Sequence, residues 1–255
     1  MAANPPSPSD VYAEITFSPS TEEQRNIKFI SRDDWTKKEA AYYYTQGSCV
    51  NNEPLYGAVY SGPKDVTAAV TKHNPNLTKL IDGTAIPKDT WIRTGQGGGT
   101  ISGVFGIDIR AEIAKMRKGK RSNKEIAKEL TKKFKGTAGT QKAFMSTSFA
   151  SNTGFLKEAY EFHIFAPKGT KCLYAEPFSA YGDRDTSPTT WDGIQKTIFL
   201  GQQKEFEGIL QRGTEFRIIG FEYDKDVKSN TKWRVVMEIV KQAPQPYQPG
   251  NPVTY

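Results

Sequence analysis

The sequence predicts an α+β fold in which helices come first along the chain and strands follow. Helical spacing and helix-capping residues dominate up to about residue 136, whereas short apolar segments rich in β-branched and aromatic residues dominate from 143 onward. The last two of those segments are separated only by the polar turn DKDVKSN, which is typical of a hairpin. Helices and strands segregated in this way favour helices packed on an antiparallel sheet.

The helix predictions rest on capping residues and on the spacing of apolar side chains. Ser122 and Glu125 form a capping box, and apolar residues then follow at helical spacing. Glycine and proline mark the ends of the other helices. The glycine-rich segment GQGGGTISG is predicted to be a loop. The predicted helices are 31–47, 63–73, 77–81, 108–118 and 122–136.

The strand predictions begin with the short segment TWIRT and continue through the second half of the chain. Each is a short run of apolar and β-branched residues bounded by turn-forming residues. The predicted strands are 90–94, 143–149, 160–165, 171–176, 206–211, 214–223 and 232–240.

The length of 255 residues is enough for one large domain with a sizeable core. Residues 1–22 and 241–255 are rich in proline, so the sequence predicts a flexible N-terminal arm, a single domain over 23–240 and a Pro-rich tail. The first twenty residues do not match a secretory signal, since they lack a basic region followed by an apolar one. No apolar run approaches the roughly 20 residues that a membrane span needs.

Two cysteines and two histidines limit the chemistry of the chain. Cys49 and Cys172 share no motif spacing, which favours two free thiols over a disulfide bond. His73 and His163 are far apart in sequence, and no His/Cys cluster is present, so no metal site is expected. Neither histidine lies in a motif typical of a Ser-His-Asp or Cys-His hydrolase.

The net charge of +7 raises the alternative of a basic nucleic-acid-binding module. The excess is confined to residues 110–142, which contain 12 Lys/Arg and 3 Asp/Glu; of the totals of 35 and 28, this leaves 23 basic and 25 acidic residues elsewhere. Aromatic residues do not alternate with the basic ones there, and the helix has an ordinary apolar face. This pattern favours a solvated helical surface, and nucleic acid is not the expected partner.

Arg93, in TWIRTG, is the first of three places where polar residues interrupt a strand pattern. A guanidinium can hold phosphate oxygens in a fork, so Arg93 is either an anion ligand or an outward-facing strand residue. The glycines that follow match neither a Walker A loop, which needs Lys-Ser/Thr, nor the dinucleotide fingerprint, which needs a βαβ unit.

The second place is FMSTSFA, where three hydroxyl residues lie within an apolar strand. Ser146 and Ser148 should point to one face of the strand and Thr147 to the other. Buried hydroxyls need hydrogen-bond partners, so this segment is either part of a site or a structural edge or turn.

The third place is KEFEGIL, where Glu205 and Glu207 alternate with Phe206. Strand geometry places both carboxylates on one side, about 7 Å apart. In such a pair, one carboxylate can stabilise a cationic centre while the other accepts a proton. The alternative is a solvated strand face.

Taken in order, arginine, Ser-Thr-Ser and Glu-x-Glu resemble the motifs of mono-ADP-ribosyltransferases of the arginine–serine–glutamate class, a family that includes bacterial toxins, exoenzymes and phage transferases. AAYYYTQGSCVNNEPLY resembles the early helix of that family, and APKGTKCLYAEP and EFEGILQRGTEFRIIG resemble its later strand segments. The resemblance covers about 35–240. It implies two packed antiparallel sheets with N-terminal helices and an NAD⁺ cleft between the sheets.

The resemblance also implies the reaction: cleavage of the nicotinamide–ribose bond of NAD⁺, without a metal, and transfer of ADP-ribose to a protein side chain. Glu207 would stabilise the positive charge that develops on the ribose, Ser146 would hold Glu207, and Arg93 would bind the phosphate side of NAD⁺. The other implied NAD⁺-binding residues are Thr94, Gly95, Thr147, Ser148 and Phe155.

Glu205 determines the acceptor that the resemblance implies. In the family, Glu at this position goes with modification of arginine, and Gln with modification of asparagine or glutamine, so arginine is expected. Gln202 and Phe206 are the candidates for target recognition, although the family often has an aromatic residue where this chain has Gln202. Transfer to threonine, asparagine, glutamine or nucleic acid, and NAD⁺ hydrolysis without transfer, remain alternatives.

Family analogy further implies a toxin or effector that modifies a host protein, with actin as the first candidate. A soluble monomer is expected, secreted or delivered into a target cell and active in its cytosol.

Overall fold

The computed structural model describes residues 35–45, 47–56, 62, 66–149, 157–175, 179, 190–191, 194–195 and 207–243. The predicted N-terminal arm and most of the predicted tail lie outside this range. Within the described part, no helix is long and apolar enough to cross a membrane.

Helices occupy most of the first half of the described chain, in agreement with the sequence prediction. The helix with the predicted capping box is present, since the Ser122 hydroxyl accepts from the Glu125 amide and the Glu125 carboxylate accepts from the Ser122 amide. The helices are α1 (Trp35–Thr45), α2 (Cys49–Tyr56), α3 (Val66–Ala68), α4 (Asn74–Asp82), α5 (Gly98–Phe105), α6 (Ile109–Lys118) and α7 (Asn123–Phe134).

The two short helices predicted at 63–73 and 77–81 are joined. A π-helical turn (Ala69–His73) connects α3 to α4 without a break. Pro75 lies in the first turn of α4, where its missing N–H costs one hydrogen bond and its ring crowds the preceding turn. The wider π-helical turn lets the helix continue past this proline.

Helix α5 replaces the loop predicted for the glycine-rich segment. Ile101, Val104 and Phe105 are spaced by three and four residues and are all buried. Gly106, with φ of 70°, ends the helix in the left-handed conformation. Burial of the apolar stripe therefore outweighs the low helix propensity of the glycines.

Ten strands complete the described structure. They are β1 (Thr90–Gln96), β2 (Ala138–Gln141), β3 (Met145–Ser148), β4 (Tyr160–Ala166), β5 (Cys172–Tyr174), β6 (Thr190–Trp191), β7 (Ile194–Gln195), β8 (Glu207–Leu210), β9 (Thr214–Tyr223) and β10 (Trp233–Gln242). Strand β10 includes the first two residues of the predicted tail. Strands β9 and β10 form the predicted hairpin.

Eight strands are hydrogen-bonded into one ladder in the order β2-β9-β10-β4-β1-β3-β8-β5, and β6 and β7 pair separately. The resemblance implies two packed antiparallel sheets, whereas eight of the ten described strands are hydrogen-bonded into one continuous ladder. Every pair is antiparallel except β10 with β4, which is parallel. The α+β class is confirmed.

Helices pack on both faces of the eight-stranded ladder. The larger core lies between one face and helices α5 to α7, around Phe162, Met237 and Leu130. A second core lies on the other face, where α1 and α4 pack against the β3–β8–β5 end through residues such as Tyr44 and Ile209. The side chains of Ser146, Ser148 and Glu207 share this second face, because they occupy paired or alternate positions with Ile209. We call it the site face.

Candidate active site

Adjacent strands bring three of the predicted site residues into one row. Arg93 of β1 lies opposite Ser148 of β3, and Ser148 lies opposite Glu207 of β8. On the other side of β1, Arg93 lies opposite His163 of β4. Residues opposite each other in antiparallel strands project to the same face, so these four side chains line the site face in the order His163, Arg93, Ser148, Glu207.

The row is buried although it is polar. Arg93 is 6% exposed, Ser148 1% and Glu207 4%. Charged side chains are seldom buried to this extent unless they are paired or have a function. The row therefore places a cation, a hydroxyl and an anion together in surroundings where their charges are screened less than in water.

Ser146 lies two residues along β3 and is connected to helix α1. Its hydroxyl donates to the Tyr44 hydroxyl at 3.2 Å, and Asn52 donates its amide to the same oxygen at 3.4 Å and to the Phe144 carbonyl at 3.2 Å. The Tyr44 ring lies edge-on to Phe144. Helices α1 and α2 thus fix the position of the Ser146 side chain.

Tyr44 was not predicted as a site residue, although the segment AAYYYTQGSCVNN was noted for its resemblance. Burial raises the pKa of the Tyr44 hydroxyl; the hydrogen bond from Ser146 opposes this shift, and the charge of Glu207 adds to it. The phenol therefore keeps its proton at neutral pH, close to the Glu207 carboxylate.

Thr147 points to the face opposite Ser146 and Ser148, as the alternation predicts. Its hydroxyl donates to the carbonyl oxygen of Gly208 at 2.8 Å, which ties β3 to β8 beside Glu207. Only glycine fits at position 208, because the Phe149 ring packs against the backbone there. A Cβ at Gly208 would lie 2.5 Å from Phe149 Cε2. Thr147 and Gly208 therefore support the strand that carries Glu207.

Thr94 and Gly95 follow Arg93 along β1 and are buried. The Thr94 hydroxyl accepts from the Gln96 amide at 3.2 Å, and Gln96 accepts from Thr100 of α5 at 3.0 Å. These bonds attach the end of β1 to the start of the next helix. Gly95 lies opposite Glu161 of β4.

Glu161 contacts Arg93 and was not identified from the sequence. Its Oε1 lies 3.4 Å from Arg93 Nη1 and accepts from Arg234 Nε at 2.9 Å. Burial lowers the pKa of Arg93; the Glu161 carboxylate opposes this shift, and Arg234 adds to it. The signal was weak, because a single Glu in the apolar strand YEFHIFA could equally face solvent.

His163 neighbours this charged group and packs against Trp91 in a tilted arrangement, with ring centroids 4.7 Å apart. Burial lowers the pKa of His163 well below its usual value, and Arg234 and Arg93 add to the shift. The imidazole is therefore neutral at pH 7. Its Nδ1 is buried without a hydrogen-bond partner among the described residues.

Four predicted site residues lie outside the described part of the chain: Phe155, Gln202, Glu205 and Phe206. Their predicted roles remain predictions. In the described part, no group of three His, Cys, Asp or Glu side chains is arranged to hold a metal ion.

The described row can bind an anion through Arg93 and stabilise a positive charge through Glu207, with hydroxyl groups between them. Such a site suits a ligand that carries phosphate at one end and develops positive charge at the other.

Comparisons with solved structures give the same fold. Over 92% of both chains, the fold matches C3stau2 from S. aureus, solved with NAD, at a TM-score of 0.57 and 16% identity. An ADP-ribosyltransferase from Clostridium botulinum matches at a TM-score of 0.56 and 18% identity, over 89% of this chain and 98% of that one. Plx2a, an ADP-ribosyltransferase toxin from Paenibacillus larvae, matches at a TM-score of 0.55 and 18% identity, over 88% of this chain and 92% of that one.

No curated protein sequence matches the chain. The family model for the ADP-ribosyltransferase exoenzyme matches residues 33–242, which include every described helix and strand. The resemblance stated from the sequence motifs is thereby confirmed, and the chain belongs to the ADP-ribosyltransferase exoenzyme family.

Proposed function

We propose that this protein transfers ADP-ribose from NAD⁺ to an arginine side chain of a host protein and releases nicotinamide. The observation that carries the proposal is the buried row of Arg93, Ser148 and Glu207 on three adjacent strands. It combines a cation for the phosphates with an anion for the ribose on one face of the sheet.

Glu207 acts on the bond that breaks. As the nicotinamide–ribose bond lengthens, nicotinamide leaves with the bonding electron pair and positive charge develops on the ribose. A carboxylate that is 4% exposed is poorly screened, so it stabilises that charge more strongly than a solvated one would. Glu207 also accepts a hydrogen bond from a hydroxyl of the same ribose.

The hydroxyl residues keep Glu207 in position. On the helical side Ser146 donates to Tyr44, whose hydroxyl also accepts from Asn52, and Ser148 lies opposite Glu207 in the ladder. Because these partners are already in place, little reorganisation is needed when the ribose becomes charged.

Arg93 binds the phosphate side of NAD⁺ through its guanidinium. The backbone of Thr94 and Gly95, directly after Arg93, holds the carboxamide of nicotinamide. The two ends of the nicotinamide ribonucleotide are thereby fixed by consecutive residues of β1 while Glu207 faces the ribose.

Glu205 orients and deprotonates the acceptor arginine. An arginine guanidinium is protonated at neutral pH and is a poor nucleophile. The Glu205 carboxylate orients it and accepts its proton as the new bond from guanidinium nitrogen to ribose carbon forms. Glu205 precedes Glu207 by two residues, and residues two apart project to the same side wherever the backbone is extended.

The family points to a toxin that acts on a protein of a target cell, and we propose actin as the first acceptor to test. We further propose that the protein is monomeric and reaches the cytosol of that cell.

Replacing Glu205 tests the acceptor directly. Glu205→Gln is expected to reduce ADP-ribosylation of actin or of a eukaryotic lysate by about 10²-fold or more, since about 10² is the lower end of the contribution expected of a general base. Nicotinamide release in the absence of an acceptor should fall less than about threefold, since cleavage depends on Glu207. Both activities are measured with labelled NAD⁺.

Glu215→Gln serves as the matched control, because Glu215 is a partly exposed glutamate on β9, away from the row. It should leave both activities unchanged. Transfer to arginine at the wild-type rate by Glu205→Gln would exclude the role proposed for Glu205.

A further inference from the structure

Four charged side chains, three of them buried and one partly exposed, form a cluster that extends from the edge of the active-site row across the sheet. They are Glu222 of β9, Arg234 of β10, Glu161 of β4 and Arg93 of β1, which are consecutive strands of the ladder. Register places Glu222 opposite Arg234 and Arg234 beside Glu161, so all lie on the site face. Glu161 is 0% exposed and Arg234 3%.

Glu161 is the member that connects the others. Its Oε1 accepts from Arg234 Nε at 2.9 Å, lies 2.9 Å from Arg234 Nη2 and lies 3.4 Å from Arg93 Nη1. Its Oε2 accepts from the backbone amide of Lys228 at 3.1 Å. Arg234 in turn donates through Nη1 to Glu222 at 3.1 Å.

The contact distances show which groups hold Glu161 firmly and which group contacts it more loosely. Arg234 and the Lys228 amide hold Glu161 with the shorter hydrogen bonds, so the carboxylate is fixed independently of Arg93. The longer contact reaches only Nη1 of Arg93. Glu161 therefore contacts the Arg93 guanidinium at one of its nitrogens, and this contact can set the orientation of the planar group.

The negative charge of Glu161 is also needed to compensate the two buried arginines. Arg93 and Arg234 are like charges that share one carboxylate oxygen, and removing one partner of a buried ion pair leaves an uncompensated charge. His163, the cross-strand neighbour of Arg93, is neutral at pH 7 because burial lowers its pKa, so it adds no third positive charge.

We propose that Glu161 is a positioning residue that fixes the guanidinium of Arg93 towards the phosphates of NAD⁺, and that Arg234 and Lys228 hold Glu161 for this purpose. Glu161 itself does not touch NAD⁺. The inference rests on the proposed binding of NAD⁺ by Arg93.

Glu161→Gln tests the inference, because glutamine keeps the size of the side chain and removes its charge. Phosphate binding contributes equally to the ground state and the transition state, so its loss raises KM and leaves kcat nearly unchanged. We expect the KM for NAD⁺ to rise at least about tenfold and kcat to change less than about threefold, measured as nicotinamide release.

Glu222→Gln is the matched control. It also removes a carboxylate that contacts Arg234, but this partly buried residue lies three strands from Arg93. Its melting temperature should fall, though less than that of Glu161→Gln, whereas its KM for NAD⁺ should stay within about twofold of wild type. An equal rise in KM in both variants would show a general effect of the cluster and would overturn the inference.

Combination with Arg93→Ala separates positioning from direct binding. If Glu161 acts through Arg93, adding Glu161→Gln to Arg93→Ala causes no further rise in KM. Additive effects would overturn the inference. Should Glu161→Gln alone fail to fold, Glu161→Gln with Arg234→Gln removes one charge of each sign, and its KM should still be raised; a wild-type KM in that variant would also overturn it.

The same measurements distinguish this inference from the proposed function. If Arg93→Ala raises the KM for NAD⁺ and Glu161→Gln does not, only the inference fails. If the wild-type protein releases no nicotinamide, or Arg93→Ala leaves KM unchanged, the proposed role of the site fails and the inference fails with it.

Discussion

Glu207→Gln is expected to lower the kcat for nicotinamide release by at least about 10²- to 10³-fold, the loss typical when a preorganised electrostatic partner of the transition state is removed. The amide has nearly the shape of the carboxylate but no charge to place beside the ribose. Because the change acts mainly on the transition state, the KM for NAD⁺ should change little. Transfer to protein should be lost in parallel, since it follows the same bond cleavage.

Glu215→Gln again provides the control, and its kcat should equal that of the wild type. The melting temperature of Glu207→Gln shows whether the variant is folded. A folded Glu207→Gln protein that retains more than a tenth of the wild-type kcat would contradict the role assigned to this carboxylate.

Gly139→Ala is expected to lower the free energy of unfolding by about 3 kcal/mol or more, at the upper end of the cost of overpacking. Gly139 of β2 packs directly against the C-terminal end of helix α5. A Cβ there would overlap the carbonyl oxygen of Val104 and lie 2.7 Å from its carbonyl carbon. These are backbone atoms, so relief requires α5 or β2 to move rather than a side chain to rotate.

Gly99→Ala is the matched control for this prediction. Gly99 lies within α5, and a Cβ there meets nothing within 4 Å. Alanine should therefore leave stability unchanged or raise it by up to about 1 kcal/mol through helix propensity. Chemical denaturation measures both variants, and equal stabilities would show that the close contact at Gly139 has no energetic consequence.

Local patterns predicted the elements whose stability is mainly local. The capping box at Ser122 and Glu125 marked the start of α7, and the strand predicted at 214–223 coincides with β9. Alternation within FMSTSFA placed Ser146 and Ser148 on one face of β3 and Thr147 on the other, as the register shows. These predictions needed only residues a few positions apart along the chain.

Elements that depend on tertiary packing were not predicted. The glycines of α5 indicated a loop, because its apolar stripe gains stability only when buried against the sheet. Strand β2, with the sequence AGTQ, is short and mostly polar and is specified by its pairing with β9. Helix α2 was not predicted because it contains Pro54, a residue that normally disfavours the interior of a helix.

The charged cluster in the site likewise could not be predicted from local sequence patterns. Arg93 and Glu207 stood out because each interrupts an apolar pattern and each belongs to a motif. Glu161 and Arg234 are 73 residues apart and meet only because β10 pairs in parallel with β4, which no local pattern indicates. Long-range pairing of this kind must be seen in the structure.

The most direct test of the proposed function is to identify the residue that the protein modifies. The wild-type protein and Glu207→Gln are each incubated with labelled NAD⁺ and a eukaryotic lysate, in parallel with purified actin, and the labelled peptides are sequenced by mass spectrometry. We predict ADP-ribose on arginine with the wild-type protein and none with Glu207→Gln. ADP-ribose on a different type of residue, or nicotinamide release without any labelled protein, would contradict the proposal of arginine transfer.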